Sequence, residues 1–428
     1  MQSFEIDLGG RKLTVEYGKM AKQASGAVLV RYGETVVLVT STASKEAREG
    51  MDFFPLTVDY EEKMYAVGKM PGGFLRREGR PGNSAILNAR LIDRPIRPLF
   101  DKRCRNDIHV MATVLSVDYD NASELCGMLG ASASLGISDI PWDGPIAGVR
   151  VGRIDGQFVI NPTQEQLKVS TLNITVAGSE TAILMVEGGA QEAPEEDVLD
   201  AIMFGHKTIK ELVAFQKKII EEVGKPKRTL IFPEIPEEIK TAIYAYAERP
   251  LKEAIFNPDK LTREAHMEEV RKEAEAHFKE IYPENGSDIA ECLNHLTKEI
   301  VRHMISVDKI RPDGRALDEI RPISCEVGLL PRVHGSALFT RGQTQALTIT
   351  TLAPMSETQI IDDLTQETEK RYIHQYNFPS YSVGETKSSR GPGRREIGHG
   401  ALAERALIPV IPTVEEFPYA IRVVSEIL

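Results

Sequence analysis

Apolar residues recur along this 428-residue chain with a strand-like period in some stretches and a helical period in others. Gly26-Ala-Val-Leu-Val-Arg-Tyr-Gly33-Glu-Thr-Val-Val-Leu38 reads as a strand, a glycine-centred turn and a returning strand. Residues 85–93 read as a helix ending near prolines, and Ile108-His-Val-Met-Ala-Thr-Val-Leu-Ser-Val117 as a strand. The small-residue run that starts at Ser123 predicts a tightly packed helix. A hairpin with an Asp155-Gly156 turn is expected over 149–160, and two more strands around Gly178. The period then changes. Leu199, Ile202, Ile209, Leu212, Ile219 and Val223 predict a long helix over 197–223, closed by Gly224 and Pro226. Charged helices follow over 237–278 and 289–305, split by Pro250, Pro258 and Pro283.

After these helices the first pattern returns. Gly335-Ser-Ala-Leu-Phe-Thr-Arg-Gly342-Gln-Thr-Gln-Ala-Leu347 aligns without a gap on residues 26–38. Tyr381-Ser-Val-Gly384 answers Tyr65-Ala-Val-Gly68, Arg394-Arg395-Glu396 answers Arg76-Arg77-Glu78, and a helix over 399–407 answers 85–93. Four matches in one order imply a duplicated α/β (α+β) unit with an all-α insert. The expected division is 1–210, 211–307 and 308–428. The strand Tyr419-Ala-Ile-Arg-Val-Val-Ser-Glu-Ile-Leu428 answers the one at Ile108 and stops without sheet partners or a covering helix. The second copy is therefore expected to be cut short.

A hydrophobic content of 42% and a charged content of 27% fit a soluble globular protein. No run of about 18 apolar residues and no basic, then apolar, leader is present, so a cytoplasmic protein without a membrane anchor is expected. Cys104, Cys126, Cys292 and Cys325 are scattered, which argues against disulfides and zinc. The net charge of −11 at face value disfavours nucleic acid. Yet Arg76, Arg77, Arg80, Arg90, Arg94, Arg97, Lys102, Arg103 and Arg105 crowd one region, and a local basic surface can follow phosphates.

Several strings resemble polynucleotide phosphorylases: Asp52-Phe-Phe-Pro-Leu-Thr-Val-Asp-Tyr60, Pro71-Gly-Gly-Phe-Leu-Arg-Arg-Glu-Gly-Arg-Pro81, Tyr376-Asn-Phe-Pro-Ser-Tyr-Ser-Val-Gly-Glu385, Arg311-Pro-Asp-Gly-Arg315 and Gly393-Arg-Arg-Glu-Ile-Gly-His-Gly400. The resemblance covers the whole chain. It implies two RNase PH-like cores (ribosomal protein S5 domain 2-like), the second incomplete, with a helical domain between them. The implied protein is a homotrimer that degrades single-stranded RNA from its 3′ end with inorganic phosphate, releases nucleoside diphosphates, can run in reverse and takes part in mRNA decay, in some settings with RNA-degradation machinery. It also implies Mg²⁺ (or Mn²⁺), with its aspartate ligands and the phosphate-binding serines beyond Leu428, and KH and S1 domains that this chain lacks.

The residue types suit that chemistry. Phosphate is itself the nucleophile in phosphorolysis, so the protein must gather anions and stabilise a negative transition state. Arginine grips two phosphate oxygens at once and stays charged. Arg394, Arg395 and His399 are the catalytic candidates, in a loop whose glycines (Gly391, Gly393, Gly398, Gly400) let backbone N–H groups approach an anion. Phe74, Arg76, Arg77 and Arg80 are the RNA-binding candidates, with Phe74 stacking on a base. The family usually has a second phenylalanine where Leu75 stands. Arg90, Arg94 and Arg97 are expected to be structural, paired with Asp93 or Asp101. In the first copy the phosphate serines would fall near Asn121-Ala-Ser-Glu-Leu125, where Glu124 would repel phosphate, so that copy is expected to guide RNA. Asp362-Asp363 matches no metal motif, and Gly384-Glu-Thr-Lys-Ser-Ser389 lacks P-loop spacing. The rival reading is a non-catalytic RNase PH-like RNA-binding scaffold.

Overall fold

The computed structural model describes every residue except 49–50, 52, 231–234, 367–368, 387 and 389. Asp52, which opens the Asp52–Tyr60 string, and Lys387 and Ser389 of the P-loop look-alike lie outside the described residues. The chain divides into two units: Met1–Leu230 with Leu330–Ser336 and Thr348–Leu428, and Ile231–Leu329 with Ala337–Leu347.

The first unit opens with β1 (Gln2–Leu8), β2 (Arg11–Tyr17), β3 (Gly26–Tyr32), β4 (Thr35–Ala47), β5 (Leu56–Glu62), α1 (Asn83–Ile96) and β6 (Asn106–Ser116). Their sheet has the order β1-β2-β3-β4-β6-β5. Neighbours are antiparallel except β5 and β6, which run parallel and are joined by α1. Gly33, at φ 57°, supplies the left-handed position in the β3–β4 turn. Next come α2 (Ser123–Ile137), β7 (Ala147–Ile154), β8 (Gln157–Ile160), α3 (Gln164–Val169), β9 (Leu172–Gly178), β10 (Ile183–Ala190) and α4 (Glu195–Val223). The four strands form an antiparallel sheet ordered β10-β9-β7-β8. The expected Asp155-Gly156 turn joins β7 to β8, both residues at positive φ.

Helix α2 packs on β3, β4 and β6 and on β7 and α4, and every residue from Leu125 to Ile137 is buried. Its small residues permit this. A Cβ on Gly130 would lie 2.4 Å from Val39 Cγ2, and one on Gly136 2.5 Å from Ile220 Cδ1 of α4. The run starting at Ser123 is thus a packing helix between two layers, as its composition predicts.

The second unit is built on α5 (Glu237–Ile255), α6 (Lys260–Ile281) and α7 (Gly286–Ser306). Ile243, Leu251, Phe278, Leu293, Leu296 and Met304 belong to its core. Pro258 and Pro283 fall between helices as expected, but Pro250 does not split α5. It removes the donor for the Tyr246 carbonyl, and Tyr246 lies on the exposed side of the helix, where water can take that hydrogen bond. The Asp313-Gly314 turn is closed by Gly314 N–H donating to Arg311 C=O, and Arg315 and Arg321 hold the Asp313 carboxylate. Strand β11 (Ile323–Val327) then pairs antiparallel with β12 (Gly335–Arg341), and β13 (Thr344–Ala353) follows the Gly342 turn.

Back in the first unit lie β14 (Gln359–Ile360), β15 (Glu369–Lys370), β16 (Tyr372–Asn377), α8 (Arg394–Leu407) and β17 (Ala420–Ile427). β16 and β17 are parallel, with Tyr372 opposite Ile421, as Leu56 is opposite Ile108 between β5 and β6. α8 packs on β16 as α1 packs on β5. Residues 64–67 and 380–383 each form a short turn of helix capped by a left-handed glycine, Gly68 and Gly384. The duplication read from the sequence is therefore present in the backbone.

The two Arg-Arg-Glu triplets are not structural equivalents, contrary to the expectation from sequence. Arg394-Arg395-Glu396 is the first turn of α8, whereas Arg76-Arg77-Glu78 lies in the loop before α1. The two helices start alike, after Pro81-Gly82 and after Pro392-Gly393, with both glycines extended. The structural counterparts of Arg394 and Arg395 are hence Asn83 and Ser84, and that of His399 is Asn88. The repeated Arg-Arg-Glu triplet thus occupies a loop in one copy and a helix in the other.

Candidate active site

Helix α8 begins where Gly393 caps it, and Glu396 secures that start. Its carboxylate accepts from Gly393 N–H at 2.6 Å and from Phe378 N–H at 2.8 Å. Arg394 and Arg395 occupy the first turn, where free N–H groups and the helix dipole favour an anion. Successive helical residues point about 100° apart, so the two arginines diverge. Arg394 turns toward the first copy: Nη1 donates to Val58 C=O at 2.7 Å, and Nη2 pairs with the Asp59 carboxylate. Asp59 also bonds His109 Nε2 at 2.9 Å. Burial raises the Asp59 pKa, but the hydrogen bonds from Arg394 and His109 outweigh it and hold the carboxyl below its usual value.

Arg395 points elsewhere. Among the described residues no carboxylate pairs with it. His399 lies one turn further along the same face, with its ring 5.1 Å from that of Tyr376. Burial first, then the charges of Arg395 and Arg90, lower the His399 pKa, so the imidazole is neutral near pH 7. Arg90, of α1, is close against this helix: a Cβ on Gly398 would lie 2.5 Å from Arg90 Nε. Gly398 and Gly400 are therefore not loop glycines that offer N–H groups to an anion, as expected from sequence. They are buried helical positions, and their missing side chains admit Arg90 and the backbone of β16, with His374 C=O 3.3 Å from the place of a Gly400 Cβ.

Arg90, Arg97, Arg394 and Arg395, with Asp93 and Leu56–Val58, line a cavity of about 440 Å³. Arg97 is held by Asp93 through two 2.8 Å bonds, as expected, whereas Arg94 pairs with Glu187 and not with Asp93 or Asp101. Asp101 pairs with Arg103 instead. Arg90, expected to be paired with Asp93 or Asp101, has no carboxylate partner among the described residues and lines the cavity, because Arg97 occupies Asp93 and Arg103 occupies Asp101.

The RNA-binding candidates sit in the loop before α1. Phe74 is 100% exposed and Leu75 83%, which removes any role for Phe74 in the core. Arg76 reaches Pro71 C=O at 3.5 Å, and Arg77 and Arg80 make no side-chain hydrogen bond or ion pair among the described residues. None of the four candidate side chains lines the cavity at Arg395.

A second, larger cavity of about 1260 Å³ lies at the start of α1, lined among others by Ser84, Asn88, Glu124, Glu187, Asp362 and Asp363. Glu124 pairs with Arg150. Nearby Glu62, bonded to Ser84 Oγ at 2.8 Å, has its pKa raised by burial to about 7, with Asp363 and Glu124 adding to the rise. This is the larger cavity, but the smaller one holds the chemistry suited to phosphate. Among the described residues no group of three His, Cys, Asp or Glu side chains is placed to hold a metal ion, so none of them is assigned as a ligand.

The chain matches the family models "3' exoribonuclease family, domain 1" over residues 9–141 and 319–428 and "domain 2" over 144–208. It belongs to the 3′ exoribonuclease family. Residues 238–316 match the model "Polyribonucleotide nucleotidyltransferase, RNA binding domain". Within the family its relatives are polyribonucleotide nucleotidyltransferases: those of Heliobacterium modesticaldum and Syntrophomonas wolfei are 60% and 59% identical over all of this chain, and that of Bacillus cytotoxicus is 57% identical. The chain spans about 60% of the length of these relatives.

Proposed function

We propose that this chain belongs to a phosphate-dependent exoribonuclease that shortens single-stranded RNA from its 3′ end and releases nucleoside diphosphates. The observation that carries this is the placement of Arg395 and His399 one turn apart at the amino end of α8, beside Arg90, with no carboxylate on Arg395 among the described residues. In the reaction an oxygen of inorganic phosphate attacks the terminal phosphorus. The bond to the 3′ oxygen of the preceding nucleotide breaks, and that oxygen takes up a proton. Arg394 and Arg395 draw the two anionic groups together against their repulsion and stabilise the charge of the transition state. Neutral His399 accepts a proton from phosphate or relays one to the leaving oxygen. Microscopic reversibility makes the same site a polymerase when nucleoside diphosphates are in excess.

Phe74, Arg76, Arg77 and Arg80 form the track that feeds RNA to this site, by base stacking and phosphate contact. The first copy serves this guiding role because acid surrounds the start of its α1. The family resemblance supports a homotrimer in the cytoplasm that acts in mRNA decay beside other RNA-degrading components. It also supports a division into cores at 1–210 and 308–428 around a helical domain at 211–307. A divalent cation, Mg²⁺ or Mn²⁺, would neutralise charge on the phosphates and take its ligands from outside the described residues.

The deciding experiment supplies the complete protein with single-stranded RNA, Mg²⁺ and phosphate and resolves the products. Nucleoside diphosphates are expected. Monophosphates would mean hydrolysis, and RNA binding without product would leave a scaffold.

A further inference from the structure

The contact between Arg394 and Asp59 joins two residues 335 positions apart, one from each copy of the repeat. The repeat itself tests whether this contact is a general feature of the fold. Tyr65-Ala-Val-Gly68 aligns on Tyr381-Ser-Val-Gly384, and the strand before each follows without a gap, so the counterpart of Asp59 is Gln375. The counterpart of Arg394, counted from Gly82 and Gly393, is Asn83. Where one pair is acid and base, the related pair is two neutral amides. The partner behind each strand has changed as well. His109 stands behind Asp59, while Arg422 donates to Gln375. The charge at Asp59 thus appears only where the facing helix starts with an arginine.

The geometry leaves that arginine usable. Arg394 spends two of its five N–H donors, one on Val58 C=O and one on Asp59, and its side chain remains about half exposed. Both acceptors lie on β5, a rigid strand of the first sheet whose Val58 side chain is buried. They fix the rotation of the first turn of α8, and with it the directions of Arg395 and of His399 one turn later. The Asp59 carboxylate also balances one of the positive charges that crowd this cavity beside Arg90 and Arg97.

We infer that Asp59 of the first copy is a positioning residue for the arginine pair of the second, holding Arg394 so that Arg395 and His399 face the phosphate. The inference rests on the phosphorolytic reading of this site. The first copy then does more than guide RNA: it braces the reactive helix.

The test uses the complete protein with RNA and phosphate varied separately. Asp59→Ala is expected to raise KM for phosphate about tenfold with KM for RNA nearly unchanged, and Asp59→Glu to recover most of the loss. Asp59→Asn, isosteric and able to fold where alanine does not, is expected to fall between. Combining Asp59→Asn with Arg394→Lys should cost no more than Arg394→Lys alone, because the carboxylate acts through that arginine. Wild-type KM for phosphate in both Asp59→Ala and Asp59→Asn, or additive losses in the double variant, overturns the inference. If instead Arg394→Ala keeps full activity, or the unsubstituted protein releases no diphosphates, the reading of the site fails first.

Discussion

The two copies of the repeat share a backbone and differ in nearly every group that carries chemistry. In the first, α1 starts with Asn83 and Ser84 and carries Asn88 a turn later; in the second, α8 starts with Arg394 and Arg395 and carries His399. Beneath the helices the contrast runs the other way round. Leu56, Val58, Ala112 and Val39 of the first copy are buried and apolar. Their counterparts Tyr372, His374, Ser425 and Thr348 form one hydrogen-bonded chain with links of 2.9, 3.0 and 3.0 Å. Burial lowers the His374 pKa, so this chain is neutral. The ionisable groups are opposed as well. Glu62, Glu124 and Asp363 gather near α1, and arginines gather at α8. A duplicated frame keeps its packing while only one copy keeps, at its helix start, the charge that phosphate requires.

The strongest way to break this comparison is to give the second copy the first copy's residues. Arg394→Asn with Arg395→Ser in the complete protein is expected to lower turnover at least ~10³-fold, since oriented charge supplies most of the transition-state stabilisation. Near-normal release of diphosphates by that variant would show the helix start to be irrelevant. Unfolding curves of the double variant should stay close to those of the parent.

Glu62 sharpens the contrast through pH. Its folded pKa of about 7 exceeds the ordinary carboxyl value of 4.5, so between those values the native state holds a proton that the unfolded chain has released. Stability therefore falls as pH rises through that window and levels off above it. Glu62→Gln mimics the protonated acid. It is expected to be more stable than the parent by on the order of 2 kcal/mol at pH 8 and nearly equal to it at pH 4. An equal difference at both pH values would remove the acidic character assigned to the first copy.

The smallest effect is expected in the exposed loop before α1. Phe74→Ala should weaken RNA binding by roughly 1 kcal/mol, seen as a rise in KM for RNA with KM for phosphate unchanged, because one stacking ring is lost. A change in phosphate KM instead would place Phe74 near the reaction and not on the RNA track.

Much of this was legible in the chain. Turn glycines at Gly33 and Gly342, alternating apolar residues and the small-residue run at Ser123 follow from local sterics and burial, so hairpins and helices fall where the pattern puts them. The Arg-Arg pair and the histidine could be singled out from residue type and motif. Three readings failed because spacing along the chain shows neither exposure, nor packing partners, nor the local structure that a repeated triplet adopts. Pro250 is tolerated because Tyr246 is exposed, Gly398 and Gly400 are packing positions against Arg90 and β16, and the Arg-Arg-Glu triplets belong to different local structures. Arg90 and Asp59 gave no signal of their own, for an arginine among arginines and an aspartate in a strand look structural.

By itself the sequence determined that the unit is duplicated and that Arg394, Arg395 and His399 lie close together beside a helix, since turn and helix signals are local. Only the tertiary structure decided where α8 starts and what each of its faces meets. It put Arg394 against Asp59, left Arg395 without a carboxylate among the described residues and surrounded Glu62 with other acids, because Coulomb and hydrogen-bond energies depend on distances that no spacing along the chain records.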